Sequence, residues 1–330
     1  GMLITLPSTA YAQAGSGPLV PASGRPLSAE GIIPADVLAR VELLRNELDL
    51  IRFEMGQAKV QPIEIAVSDA SPREVIFQAI TLFRKMNQLS FEMTGDPGPQ
   101  LVIRLPRPPE EIRPYHVWRV VDGAYQHLLA LKEQLRITQP IEEKLQDAST
   151  TPTDVFHAIA EANRQLAFLL KLPPSSGDVF HQVTVATYLA ARLLEQFPGA
   201  TPMPAAPAFE AGKRPVDVYN RLVQCYARVR AIGEQSGVQT MKLEMVDLEA
   251  TVGGAAQIKP SDVYDMAILL VSELVYLHAR VAESEAPAAS YEPGLKLPAH
   301  VYQRAGLLLR QLRELEEHAT ASPDWLTSAR

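Results

Sequence analysis

The stretch Pro152-Thr-Asp-Val155-Phe decides the fold, because the chain contains the same phrase eight times. The other copies are Pro34-Ala-Asp-Val37-Leu, Pro72-Arg-Glu-Val75-Ile, Pro114-Tyr-His-Val117-Trp, Ser176-Gly-Asp-Val179-Phe, Pro215-Val-Asp-Val218-Tyr, Pro260-Ser-Asp-Val263-Tyr and Pro298-Ala-His-Val301-Tyr. Each opens an amphipathic segment of about 20 residues and reads as a helix start. Proline suits the first helical position, where its missing N–H costs nothing, and an acid two places later faces the positive end of the helix dipole. The valine then falls one turn in, where a core begins. Ser71 with Glu74, Thr151 with Asp154 and Ser175 with Asp178 have the spacing of a capping box, and Ile112 to Val117 and Ile258 to Val263 that of a hydrophobic staple.

The spacing of the valines carries more than the phrase does. Steps from Val37 are 38, 42 and 38 residues, then 24, then 39, 45 and 38. Val37, Val75, Val117 and Val155 therefore match Val179, Val218, Val263 and Val301 at offsets of 142, 143, 146 and 146, the signature of a duplicated four-helix unit. Helical periodicity agrees: Val263, Met266, Ala267, Leu270, Leu274, Leu277 and Val281 share one face, as do Val301, Ala305, Leu308, Leu312 and Leu315. Arg304, Arg310, Arg313, Glu314 and Glu317 read as a mostly solvated face.

Most connectors run to about 15 residues or more, enough to span about 50 Å, so they permit parallel neighbouring helices without requiring them. Ile63–Val67, Leu101–Leu105 and Met241–Val246 alternate or carry short β-branched runs and are predicted to be extended straps against the helices. Pro198 to Lys213, rich in Pro, Ala and Gly, is predicted to be an irregular surface loop. The fold class is therefore all-α: a tandem duplication of a four-helix unit, eight helices in all, with long extended connectors. The expected divisions are 1–33, a signal-peptide remnant and tether, 34–173 and 174–320, the two units, and 321–330, a tail.

Composition bounds the function. The 330 residues are 47% hydrophobic and 21% charged, with a net charge of -7. The longest aliphatic run, Met266 to Val271, is far short of the roughly 18 residues that span a membrane, so no transmembrane segment is predicted. Binding to nucleic acid comes mainly from cations neutralising phosphates, which makes nucleic acid an unexpected partner for an acidic chain. Gly1 ahead of Met2 reads as a remnant of tag removal. Leu3-Ile4-Thr5-Leu6 followed by Ala12-Gln13-Ala14 has the short apolar run and small residues of a secretory signal's end, though it lacks a basic start. Periplasmic or secreted localisation is the expectation, cytoplasmic the alternative. The sole cysteine, Cys225, lies among Leu222, Val223 and Val229 at helical spacing and reads as a buried thiol.

Candidate chemistry is sparse. Asp-Val-Phe-His occurs at Asp154 to His157 and again at Asp178 to His181; carboxylate and imidazole three apart share a helix face, as in di-iron bundles. An aromatic follows six of the valines: Trp118, Phe156, Phe180, Tyr219, Tyr264 and Tyr302. Such rings combine large apolar area with specific geometry and serve as ligand shelves or partner anchors. The acid of the phrase is replaced by His116 and His300 in two copies, where a protonated imidazole would oppose the dipole; both should stay neutral and accept an amide or meet a ligand. Arg104, Arg107 and Arg113 form a small basic patch offset by Glu110 and Glu111, and Gly253-Gly254 is a turn. Phosphate loops, nucleophile elbows, His-Glu-x-x-His and zinc cysteine pairs are absent from the sequence.

The reading that follows is a non-enzymatic exported helical-repeat protein that binds or scaffolds a protein or small-molecule partner, with no cofactor. Its candidate binding residues are His116, Trp118, Tyr219, Tyr264, His300 and Tyr302. The alternative is a metal-dependent bundle enzyme using Asp154, His157, Asp178 and His181.

Overall fold

The computed structural model describes residues 3–4, 31–57, 66–96, 98, 101, 103–104, 106, 111–141, 144, 147–171, 173–243, 258–281 and 294–326. Among the described residues the helices are α1 (Pro34–Glu54), α2 (Pro72–Thr94), α3 (Pro114–Gln134), α4 (Pro152–Leu169), α5 (Ser176–Leu194), α6 (Pro215–Gln235), α7 (Pro260–Val281) and α8 (Pro298–Ala321). A 3-10 turn, Pro323–Leu326, follows α8. Every helix starts at the first residue of its phrase. The fold is all-α, two four-helix units with long connectors, and no helix among the described residues is long and apolar enough to cross a membrane.

The predicted straps lie only partly within the described residues, and each contributes a two-residue strand there: β2 (Val67–Ser68), β3 (Ile103–Arg104) and β4 (Lys242–Leu243). At the N-terminus β1 (Leu3–Ile4) pairs antiparallel with β3, Leu3 opposite Arg104 and Ile4 opposite Ile103. Ala12-Gln13-Ala14, Arg107, Glu110 and Gly253-Gly254 lie outside the described residues. Contacts divide the chain into Gly1–Pro106 with Glu110–Lys171, and Arg107–Pro109 with Leu172–Arg330.

Within the first unit α1 packs on α3 and α4, and α2 packs on the same two, so α1 and α2 stand across one diagonal. Within the second, α5 and α6 each pack on α7 and α8. The ring order is the same when α1 to α4 are matched with α5 to α8, which is what duplication requires.

All four helices of each unit run in the same direction. Between α6 and α8, Arg221 Nη1 donates to the Tyr302 carbonyl (3.1 Å), Arg228 meets Glu316 (2.9 Å) and Thr320 bonds Gln235 (3.0 Å). Residue numbers climb together along both helices, which happens only in a parallel pair. Arg40 with Asp122 (2.6 Å) and Glu47 with Lys132 (2.5 Å) show the same for α1 and α3. Each next helix must therefore begin about 30 Å back from where the last one ended, which explains the long connectors.

The connector between α5 and α6 shows how the return is made. Thr201 N–H donates to Glu314 (2.6 Å), Gln311 to the Pro202 carbonyl (2.6 Å), Arg310 to Ala205 (2.9 Å) and Gln303 to Pro207 (2.8 Å). Its numbers rise as those of α8 fall, so it runs down α8 from end to start. Pro198 to Lys213 is an irregular surface segment as predicted, and side chains of α8 hold its backbone. The strap lies close over Gly306, where a Cβ would sit 2.8 Å from Pro207 Cγ and 2.9 Å from Arg221 Nη1.

The first unit uses the same device. His157 Nε2 lies 3.2 Å from the Val67 carbonyl, and Ala70 N–H donates to Thr153 Oγ1 (3.1 Å), so the strap between α1 and α2 descends α4. His157 and Gln303 are the sixth residues of α4 and α8 and clamp equivalent straps.

The core follows the periodic apolar positions. Val37, Val41, Leu44, Leu48 and Ile51 line α1, and the predicted faces of α7 and α8 are buried except for Val281 in the last turn of α7, which is half-exposed. All eight phrase valines are at most 2% exposed. Gly306→Ala should therefore force the strap off α8 and cost about 1–3 kcal/mol, as overpacking does; urea unfolding checks this, and the strap amides should exchange faster with deuterium.

Candidate functional site

Parallel helices bring four starts together at one end of each unit. In the first, Pro34, Pro72, Pro114 and Pro152 with Val37, Val75, Val117 and Val155 line a shallow depression of about 10 Å³. In the second, Ser176, Pro215, Pro260 and Pro298 with Val179, Val218, Val263 and Val301 line one of the same size. Each has room for about one water-sized group, so it is a shallow apolar dimple rather than a ligand pocket.

The mouths are apolar because the polar groups around them are used up. Proline at the first position of seven of the helices brings no N–H; Ser176 stands there in α5. The cap amide of every helix is taken by the side chain at the third position: Ile33 donates to Asp36 (2.9 Å), Ser71 to Glu74 (2.8 Å), Thr151 to Asp154 (2.7 Å), Ser175 to Asp178 (2.8 Å), Arg214 to Asp217 (2.7 Å) and Lys259 to Asp262 (2.8 Å). Thr151 and Ser175 complete reciprocal boxes, each accepting the third-position amide at 3.3 Å. Ser71 instead turns its hydroxyl onto Glu74.

His116 and His300 do the same work as the acids they replace. Arg113 N–H donates to His116 Nδ1 (2.9 Å) and Leu297 N–H to His300 Nδ1 (3.0 Å). An accepting Nδ1 carries no proton, so these bonds require the neutral ring with hydrogen on Nε2. Burial pushes the His116 imidazole below its ordinary value, and the cations Arg119 and Arg113 push the same way. Neither imidazole lines its mouth; His116 sits edge-on to Tyr115 and His300 lies against Phe209.

The aromatics that follow the valines also stand outside the lining. Trp118 and Phe156 are buried in the first unit, Trp118 beneath the Arg40 guanidinium at 5.3 Å. In the second unit Tyr219 is buried and Tyr264 half-buried. Tyr302 lies between Arg221 (3.3 Å) and Lys213 (4.3 Å), and Phe180 between Lys296 (4.6 Å) and Arg304 (4.9 Å).

The Asp-x-x-His pairs are occupied separately. Asp154 and Asp178 cap their own helices, and hydrogen bonds from Thr151 hold the Asp154 carboxyl below the usual range. His157 donates to the Val67 carbonyl, and His181 is half-buried on α5. Among the described residues no three His, Cys, Asp or Glu are arranged to hold one metal ion. Cys225 is fully buried beside the Ala305 carbonyl, and desolvation pushes its thiol up to about 12.

Interior polar groups bind helix to helix or helix to strap. Lys132 holds Glu47 and the Gln139 carbonyl (2.7 Å), and Asn163 on α4 donates to the Gln78 carbonyl on α2 (3.0 Å). Phe83 with His127 in the first unit, rings 5.1 Å apart, occupy the positions that Tyr226 with Glu273 hold in the second. The strap passes over both: Gly98, with φ of 75°, leaves no room for a Cβ against His127, and Met241 N–H reaches Glu273 (3.3 Å).

Comparison with known proteins finds no matching family model, no matching curated protein and no matching solved structure. Sequence reasoning found every residue of the two mouths but did not assemble them, because the valines read only as core. Parallel direction is what turns core positions into a lining.

His116 allows a pH test. Its folded value lies below the unfolded value of about 6.5, so between the two the unfolded chain binds the extra proton. Its contribution is full above about pH 6.5 and lost as the pH falls through the folded value. His116→Asp should add about 0.3–1 kcal/mol at pH 7, the usual gain for a carboxylate at a helix start. The advantage over wild type should widen at pH 5.5 in urea unfolding.

Proposed function

We propose that this protein is a non-enzymatic helical-repeat protein that binds or scaffolds a partner through the apolar helix-start faces of its two units. The observation that carries this reading is the repetition of one feature in both units: an apolar depression at four helix starts whose cap amides are each taken by a third-position side chain. Such a surface offers burial and shape, at about 25 cal/mol per Å² of apolar area covered, and no reactive group. Its shallowness suits a partner laid across the helix starts rather than a group sunk between them. The catalytic alternative would need Asp154 and Asp178 released from their caps. Export to the periplasm or beyond is part of the same proposal and rests on Leu3 to Leu6 followed by Ala12-Gln13-Ala14.

The test is to pan a displayed random peptide library on the full chain and on a Pro72→Glu/Pro298→Glu double variant. Glutamate at a first helical position favours the helix while placing charge in each mouth. Enriched peptides should share an apolar anchor and bind the double variant at least tenfold more weakly. No enrichment, or enrichment indifferent to the double variant, contradicts the proposal. A stoichiometric transition metal in protein purified without added metal would favour the enzyme instead.

A further inference from the structure

The strap between α2 and α3 descends α3, with Gly98 lying against His127 and Leu101 against Gly123, where an added Cβ would sit 3.1 Å from Leu101 Cδ2. In the straps between α1 and α2 and between α5 and α6, helix side chains take up backbone groups, as His157 does at Val67 and Gln303 at Pro207. At Ile103–Arg104 the backbone pairs with a second strand, β1, antiparallel, with Leu3 opposite Arg104 and Ile4 opposite Ile103. β3 is thus an extended segment of a strap seated on a helix, and its edge takes a strand. Such an edge is a template for strand addition. Its occupant is weakly held. Two residue pairs are fewer than those of an isolated hairpin, which is itself marginal in water. Residues 5–30, rich in Gly, Pro, Ser and Ala, lie between β1 and the helices. A strand carried on a linker competes for its site at about millimolar effective concentration, which a better partner overcomes.

We propose that the edge of β3 is a strand-addition site for an extended apolar segment of a partner protein, with Leu3–Ile4 as its stand-in within the chain. The occupant on the edge indicates the chemistry of the partner. Leu3-Ile4-Thr5-Leu6 joins aliphatic and β-branched residues, the types that suit a strand, and holds no proline, so every residue brings an N–H to a ladder. Main-chain hydrogen bonds supply the affinity in this mode of recognition. The helix-start faces work differently, because their cap amides are already taken. Export supplies the occasion for the exchange: cleavage after Ala14 removes β1 and leaves the edge open. That release rests on the export reading above; the site itself does not.

The experiment uses the full chain, as wild type and as Leu3→Pro/Ile4→Pro, in which proline removes both N–H groups of β1. The described helices all begin at Pro34 or later, so the variant should keep its helical circular dichroism and melt as wild type does. The β3 amides should exchange faster with deuterium in the variant. A fluorescein-labelled peptide carrying Leu-Ile-Thr-Leu, followed by fluorescence anisotropy, should bind the variant at least tenfold more tightly than wild type and restore that protection. A peptide N-methylated at its first Leu and its Ile keeps the side chains and loses the donors; it should bind at least tenfold more weakly. The inference is overturned if the variant binds no peptide up to millimolar concentration, if the two chains bind alike, or if the N-methylated peptide binds as well as its parent. It is also overturned if wild type forms a concentration-dependent dimer that the double proline abolishes, because the occupant is then the β1 of a second copy. Sequencing the N-terminus of protein recovered outside the cytoplasm judges the release separately: a start at Gly15 supports it, and a chain that keeps Leu3–Ile4 overturns it.

Discussion

Four helices pointing the same way set the constraint that the rest of this structure answers. Half-charges at neighbouring starts about 10 Å apart repel by about 0.4 kcal/mol per pair at an effective dielectric near 20, or about 2 kcal/mol over a ring of four. Three third-position carboxylates in each unit return about 0.3–1 kcal/mol each, so the caps nearly cancel the repulsion. The eightfold recurrence of one helix-start phrase then has a physical cause beyond descent. An up-and-down bundle cancels its dipoles by direction; this one must cancel them by sequence. Bases in the last turns of α1, α3, α5, α7 and α8 do part of the same work at the other end.

The same constraint dictates the straps and the mouths. A chain that ends one helix about 30 Å from the start of the next has to return outside the bundle, where its backbone needs hydrogen-bond partners. Side chains of the helix beneath supply them: Gln303, Arg310 and Gln311 in the second unit, and His157 with Thr153 in the first. At the start end, four prolines and four valines, or three prolines, Ser176 and four valines, leave a shallow apolar hollow that an alternating bundle would fill with loops. The candidate site is thus a by-product of topology, and its apolar character follows from caps that are already satisfied.

Much of the fold was legible in the sequence because its signals are local. Proline, acid and valine at fixed offsets place the helix starts, and the repeated spacing of the valines gives the duplication. Direction was not legible, since a long connector allows a return without forcing one. His157 was open to a metal reading because its hydrogen-bond partner, the Val67 carbonyl, is 90 residues away. Its counterpart Gln303 makes the equivalent contact with an amide side chain, which metal ligation would not tolerate and strap clamping does. The histidines at the third position were legible in chemistry, as neutral acceptors of an amide, but their separation from the mouths is a matter of where the helix surface turns.

Parallel direction is the claim on which the mouths, the straps and the charge balance all stand, and a distance measures it directly. Spin labels on cysteines at Arg214 and Leu297, the cap positions of α6 and α8, can be compared with labels at Arg214 and Thr320 by pulsed dipolar spectroscopy; Cys225, fully buried with its thiol pushed up to about 12, should not take the label. Neighbouring helices about 10 Å apart and about 30 Å long predict a separation near 10–20 Å for the first pair and about 30 Å or more for the second. The reverse order, with the two starts about 30 Å or more apart and Thr320 close to Arg214, would contradict the account.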